Sequence, residues 1–390
     1  MNLMALEDRT KYINHMKKKN IILSVLFAFL VSNTIAFTQT STEKVFQVKG
    51  FSCTSPRHRE VDRFVKFIDE ELAPRGVNTL ILFVCDKDYN YQFESYPQLG
   101  DTSALSKVDV KKMVAVCKKN TIRIIPQINL LGHQSWREKP NKLLEKFPQF
   151  DETPYIKLPE KYVWPNSDEL YCKSYCPLHP DLHKVIFALI DEICDVFESD
   201  VFHAGLDEVF YLGDEKCPRC SGVDKAELFA GEVTAIRNHL AEKNRELWIW
   251  GDRLIDGKST GIGLWEASYN YTWRAIDMIP KDVVICDWHY ERADHTPVYF
   301  AMKGFRVITC TGRKPETSVQ QAEDMARFRK NTTKEMKPRY YGMMQTVWSF
   351  TDQFIDAFYG KQPVNATGRG NPSDGFKALF KRMDELEKQN

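Results

Sequence analysis

Asp207 and Glu208 are adjacent acids that close the run Asp200-Val201-Phe202-His203-Ala204-Gly205-Leu206. The run reads as a short buried strand, followed by a glycine-containing loop. Strand side chains alternate, so His203, Gly205 and Asp207 share one face. Glu208 would point away in a continuing strand, but the strand stops there and the backbone turns, so both acids can face one cleft. Two carboxylates in a confined site do not both ionise easily, and one pKa rises. A proton donor beside an anion is what cleavage of a glycosidic bond needs. The same dipeptide can also simply cap the next helix or be solvated, and short motifs alone do not separate these readings.

The elements around the pair narrow the choice. Candidate strands run over Val45–Phe51, Asn78–Val84, Ile122–Asn129, Val201–Leu206, Leu247–Gly251, Val283–Trp288, Phe305–Thr309 and Tyr341–Val347. Amphipathic helical stretches lie between them at Glu60–Leu72, Val108–Lys119, His183–Phe197, Lys225–Lys243, Pro297–Lys303 and Val319–Lys330. Most strands are continuous apolar runs, as expected for a parallel sheet covered on both faces. Eight strand–helix units fit a closed α/β barrel, the (β/α)8 TIM barrel, as one catalytic domain. A doubly wound open sheet is the alternative, but no glycine-rich phosphate loop follows the first strand.

A barrel demands that active-site residues sit at the C-terminal strand ends. Polar and aromatic residues cluster there. Strand three runs into Asn129-Leu130-Leu131-Gly132-His133, and strand four ends at Asp207-Glu208. Strand five carries Trp248 and Trp250, then Asp252 and Arg253. Strand six ends in Asp287-Trp288-His289-Tyr290, and strand eight in Gln345-Thr346-Val347-Trp348. Trp248 fits barrel-interior packing as well as sugar contact, since buried aromatics dominate packing. His289 reads as structural, and Asp252 with Arg253 as a rim ion pair, worth little if exposed.

These residues resemble the family-20 glycoside hydrolases, the β-N-acetylhexosaminidases. The family's strand-four signature, His-x-Gly-Gly-Asp-Glu, is similar to His203-Ala204-Gly205-Leu206-Asp207-Glu208. Its strand-three signature ends in Gly-His, as Gly132-His133 does, and the tryptophan of its last strand looks matched by Trp348. The resemblance covers about residues 45 to 360 as spaced motifs in barrel order. It implies substrate-assisted catalysis, in which the sugar's own 2-acetamido oxygen attacks the anomeric carbon. Glu208 would be the general acid and then the base, and Asp207 would orient the acetamido N–H and stabilise the oxazolinium-like intermediate. Tyr290 would hold the acetamido oxygen. Trp250, Trp288 and Trp348, with Trp265 less well placed, would wall the pocket, and His133 and His203 would support the acids by hydrogen bonds. No cofactor is implied.

Departures from the family pattern concern recognition of the sugar. Leu206 replaces the second glycine and adds bulk beside the acids. Asn129 stands where an acid is usual. Lys49-Gly50 takes the place where strand one normally offers an arginine for the sugar hydroxyls, which keeps the charge but loses the bidentate fork. Trp348 is followed by Ser349-Phe350, and the nearest acid is Asp352. A changed glycan preference is the expectation. Two alternatives stay open: a non-catalytic barrel that binds N-acetylated sugars, and a hydrolase that releases a larger N-acetylated unit.

The 390 residues are 43% hydrophobic, ample for a large core, and the formal net charge is +1. Such a balance suggests no nucleic-acid partner and no electrostatic membrane anchor. Residues 1–36 read as an N-terminal extension with a secretory signal: a basic start at Met16-Lys17-Lys18-Lys19, an apolar Ile21 to Leu30, and a small-residue cleavage site at Thr34-Ile35-Ala36. Residues 37–390 would then form the catalytic domain with a C-terminal helix, exported to the periplasm or outside the cell, with no stable membrane span after signal cleavage. Of ten cysteines, Cys172/Cys176 and Cys217/Cys220 form C-x3-C and C-x2-C pairs in polar, proline-containing loops. They can form disulfides, stay as thiols, or together hold a structural zinc.

Overall fold

The computed structural model describes residues 44–85, 88–136, 138–161, 172–361 and 371–389. The signal segment lies outside them. Eight parallel strands close into a barrel in which each pairs with its sequence neighbours and the last with the first. They are β1 (Val48–Thr54), β2 (Thr79–Cys85), β3 (Arg123–Leu130), β4 (Val201–Gly205), β5 (Glu246–Trp250), β6 (Val284–Trp288), β7 (Arg306–Thr311) and β8 (Tyr340–Val347). The fold is a (β/α)8 barrel, as the apolar strand pattern predicts; all seven residues of β2 are buried.

Alternation along the strands builds two cores. Val48, Ile81, Ile125, Val201, Trp248, Val284, Cys286, Ile308, Cys310 and Met344 point inward and fill the barrel. The opposite faces pack on the helices α1 (Val61–Phe67), α2 (Lys107–Lys119), α3 (Leu182–Phe197), α4 (Lys225–Ala241), α5 (Thr296–Met302), α6 (Pro315–Lys330), α7 (Thr351–Phe358) and α8 (Pro372–Lys388). Local chemistry sets their starts. Ser106 and Asp109 form a reciprocal capping box on α2, Asp224 caps α4, and prolines occupy the first turns of α6 and α8. The stretch expected over Glu60–Leu72 is helical throughout, and α1 passes at its end into a π-helical turn at Ile68–Leu72. Between β5 and β6 the chain makes 3-10 turns at Asp252–Leu254 and Thr272–Asp277 and a short turn of helix at Gly257–Thr260.

The C-terminal helix α8 completes the wall beside β1. Phe376 of α8 meets Phe51 of β1, and Phe354 of α7, with ring centroids 5.3 Å and 6.1 Å apart. Burying each such ring stabilises the fold by ~1.5–3 kcal/mol. Among the described residues no helix is long and apolar enough to cross a membrane.

Candidate active site

The site is built on the β4 turn. Gly205 and Leu206 both take left-handed backbone, φ 69° and 67°, and Glu208 follows at 50°. A β-carbon on Gly205 would lie 2.3 Å from the Asn129 side-chain oxygen, so only glycine fits there. The β3 loop reaches the same point through Gly132, where a β-carbon would lie 2.7 Å from the Asp207 carbonyl. Leu131 and His133 flank it with φ 60° and 54°. Among the described residues, four of the eight non-glycine left-handed ones thus lie in the two loops that carry the acids. Such strain concentrates where geometry serves function.

This bending aims both carboxylates at one imidazole. His133 Nε2 lies 3.1 Å from Asp207 Oδ2 and 3.2 Å from Glu208 Oε2. Burial by itself would lower the His133 pKa, but the Cys172 sulfur and the Asp207 carboxylate outweigh it and hold the imidazole well above its ordinary value. Cys172 Sγ is 3.5 Å from His133 Nδ1 and 4.0 Å from Glu208 Oε2, so a thiol lies directly behind the acids.

Asp252 and Arg253 anchor the acids from the β5 side. The Glu208 backbone N–H donates to Asp252 Oδ2 at 2.9 Å, and Trp288 Nε1–H donates to Asp252 Oδ1 at 3.2 Å. Arg253 Nε–H donates to Asp252 Oδ2 at 2.6 Å, and its Nη2 binds the carbonyls of Leu264, Trp265 and Ala267. The pair is fully buried, not a rim pair. Burial pushes the Asp252 carboxyl up to about 6; Arg253 opposes the rise, and the nearby charges of Asp207 and Glu208 add to it.

Aromatic rings line the space above. Trp250 is fully buried at the floor, with its ring centroid 5.7 Å from Trp348. Trp288 lies 5.2 Å from Tyr290. Trp348 Nε1–H donates to the Tyr290 hydroxyl oxygen at 2.7 Å, and burial raises the phenol pKa far above its usual value. On the other side, Trp136, Tyr211 and Trp265 pack against Phe210 and Cys172. The result is a slot with acids on one wall, a phenol on another and apolar ring faces between.

Comparison with known proteins gives the family. The family model "Glycosyl hydrolase family 20, catalytic domain" matches residues 46–356. The chain belongs to glycosyl hydrolase family 20. A β-hexosaminidase of Vibrio furnissii is 24% identical over 294 residues, covering 69% of this chain and 43% of that protein. A lacto-N-biosidase of Bifidobacterium bifidum is 22% identical over 282 residues, covering 67% of this chain and 22% of that protein. The chain thus spans less than half the length of these curated relatives. The Flavobacterium johnsoniae chitobiase structure matches with a TM-score of 0.58 at 16% identity, over 88% of this chain and 51% of that one, which speaks for the fold.

This family-20 domain brings together Asp207, Glu208, His133, Trp250, Trp288, Tyr290 and Trp348, and beyond the Asp252–Arg253 pair it corrects four readings of the sequence. Lys49 is the second residue of β1, at the end of the barrel far from the acids. Its Nζ pairs with Glu387 of α8 at 2.9 Å. The strand continues to Thr54, so the cation that reaches the rim is Arg57, whose guanidinium lies 5.6 Å from the Phe350 ring centroid. With Phe83, Asp88, Asn90, Asp101 and Ser103, Arg57 lines a hollow of about 160 Å³. Phe83 connects this hollow to the slot through an edge contact with Trp348.

His203 is one layer too deep to touch the acids. Its Nδ1 accepts the Gly205 backbone N–H at 3.1 Å, its ring lies 4.5 Å from Trp250, and its other partner is Cys286 inside the barrel. Leu206 turns its fully buried side chain into the outer core, away from the slot, because its left-handed backbone reverses the facing. The four loop cysteines do not meet. Residues 172–176 run extended along the β3 loop, with Gln134 N–H bonded to the Lys173 carbonyl and Tyr175 N–H to that of Leu131. Such a run separates its ends by roughly 13 Å, so Cys172 joins the acids while Cys176 joins Cys217 and Cys220.

Sequence reasoning also missed Asp252 as the tether of Glu208. The signal available was its position two residues beyond Trp250, just past the C-terminal end of β5. Trp248 sits fully buried low in the barrel, its ring 6.4 Å from Tyr341, and packs as barrel interior. His289 is buried, 2.6 Å from Glu266 and 3.2 Å from Asp287.

Proposed function

We propose that the protein is an exported exo-acting β-N-acetylhexosaminidase, which removes terminal β-linked GlcNAc or GalNAc by substrate-assisted, retaining catalysis. The observation that carries this reading is the convergence of Asp207 and Glu208 on His133 Nε2, at 3.1 and 3.2 Å, beside the aromatic slot. Glu208 protonates the leaving oxygen as the acetamido carbonyl oxygen attacks the anomeric carbon. Asp207 accepts the acetamido N–H and offsets the charge of the cyclic intermediate. Tyr290, oriented by Trp348, donates its phenolic hydrogen to the acetamido oxygen. Glu208 then takes a proton from the water that opens the ring. Export rests on the signal-like residues 16–38.

The test is hydrolysis of aryl β-GlcNAc, β-GalNAc and β-glucoside by the wild type, Asp207→Asn and Glu208→Gln. Turnover confined to acetamido sugars and lost in both variants supports the proposal. Unchanged turnover by Glu208→Gln overturns it. A thiazoline mimic of the intermediate should bind far more tightly than the free sugar, which separates catalysis from mere sugar binding.

Release of a larger N-acetylated unit is the second reading. It is favoured by the polar hollow beside Trp348, which offers room beyond one sugar ring. Sizing of the products from longer oligosaccharides decides between the two.

A further inference from the structure

We propose that Cys176, Cys217, Cys220 and Glu152 form a structural zinc(II) site that clamps the loop after β3 to the loop after β4. The Cys176 Sγ lies 3.3 Å from Cys220 Sγ and 3.6 Å from Cys217 Sγ. These three sulfurs and a Glu152 carboxylate oxygen all lie within 4.8 Å of one another. A tetrahedral zinc with Zn–S bonds of ~2.3 Å holds its sulfurs about 3.8 Å apart, so the cluster is already near the size that a metal needs. All four side chains are buried.

Glu152 is the observation that a thiol cluster alone leaves unexplained. It is fully buried; its Oε1 accepts the Asp214 N–H at 3.0 Å, and its carboxylate faces the Cys217 and Cys220 thiols. Its Oε2 has no hydrogen-bond partner. A buried carboxylate without a compensating charge is unfavourable, and a divalent cation supplies that charge. The Asp214 N–H bond fixes the carboxylate from behind, as the partners of metal ligands commonly do.

The backbone fits as well. Cys217-Pro218-Arg219-Cys220 is a C-x2-C turn, closed by Ser221 N–H on the Cys217 carbonyl and Val223 N–H on the Cys220 carbonyl, each at 3.1 Å. Such a turn presents two thiols to one point. A disulfide cannot satisfy the group, because three cysteines leave one thiol over and Glu152 Oε2 still bare. On binding, three S–H protons leave to solvent and the three thiolates and one carboxylate coordinate the ion. Four protein ligands leave no open position, so this zinc is structural and takes no part in the chemistry. Its effect on the site is indirect: Cys217 and Cys220 lie on the loop that begins with Asp207-Glu208, and Glu152 and Cys176 on the one that begins with His133.

The test is the metal content of the full chain purified under reducing conditions, with one zinc per chain expected. Cobalt(II) substitution should give the thiolate charge-transfer and intense d–d absorption of a tetrahedral sulfur-rich site. Zinc should be lost in Cys176→Ser and Cys217→Ser. Glu152→Gln, nearly isosteric, should fold, hold zinc at least tenfold more weakly and alter the cobalt spectrum. Cys172→Ser should retain the metal, which distinguishes this site from the His133, Cys172 and Glu208 group. Three results overturn the proposal: no zinc in the folded wild type even after zinc is added, an unchanged cobalt spectrum in Glu152→Gln, or a mapped disulfide between two of the three cysteines in the active protein.

Discussion

The backbone N–H of Glu208 donates to the carboxylate of Asp252 at 2.9 Å, so the proposed general acid is held from β5 as well as from its own strand. The same carboxylate accepts from Arg253 and Trp288. One buried group thereby fixes the acid, a slot wall and the loop that Arg253 gathers.

Asp252→Asn breaks this arrangement. The amide keeps one acceptor oxygen, turns an N–H₂ toward another donor and leaves Arg253 without its counter-charge. Removing one partner of a buried pair costs about 3–5 kcal/mol. Urea unfolding followed by tryptophan fluorescence should show a loss of that order, and kcat should fall with it.

Tyr290→Phe removes only a hydroxyl and leaves the tilted ring contact with Trp288 in place. If the hydroxyl holds the acetamido oxygen as it attacks, kcat on aryl β-GlcNAc should fall by about 10²–10³ with little change in stability. Steady-state kinetics beside a melting curve reads both. An unchanged kcat would remove Tyr290 from the mechanism.

Lys49→Met and Arg57→Ala should part company. Lys49 joins β1 to Glu387 of α8, so its loss should cost stability of about 0–1 kcal/mol and leave kcat/KM alone. Arg57 is the one cation among the described residues of the hollow next to Trp348. Loss of a charged hydrogen bond to substrate should lower kcat/KM about tenfold or more. The reverse pattern would restore Lys49 to the binding site.

His289 makes stability depend on pH. Burial lowers its pKa, but Asp287 and Glu266 overcome this and raise it to about 10. The folded value lies above the unfolded value of about 6.5. The folded chain therefore holds a proton that the unfolded chain loses, and the stabilisation is complete below that pH and fades as pH rises toward 10. The stability difference between wild type and His289→Asn should shrink by a few kcal/mol across that window, as read by denaturant unfolding at several pH values.

The sequence by itself determined the barrel and the place of its acids. Strand number and order were legible because strands buried on both faces must be continuously apolar, and a (β/α)8 barrel pairs them in chain order. Asp207 and Glu208 were legible because they end such a run. What only the tertiary structure decided were facings and partners set by distant loops. Lys49 looked like a rim cation until β1 proved to extend to Thr54, since a shift in strand end moves every residue's height in the barrel. Cys172 parted from Cys176 because an extended segment lies between them. Leu206 turned outward because its backbone is left-handed, a choice driven by the close approach of Asn129 to Gly205. Glu152, Asp252 and Arg57 are ordinary loop residues in one dimension. Each gains meaning from a group dozens of positions away, and no local pattern in the chain encodes that contact.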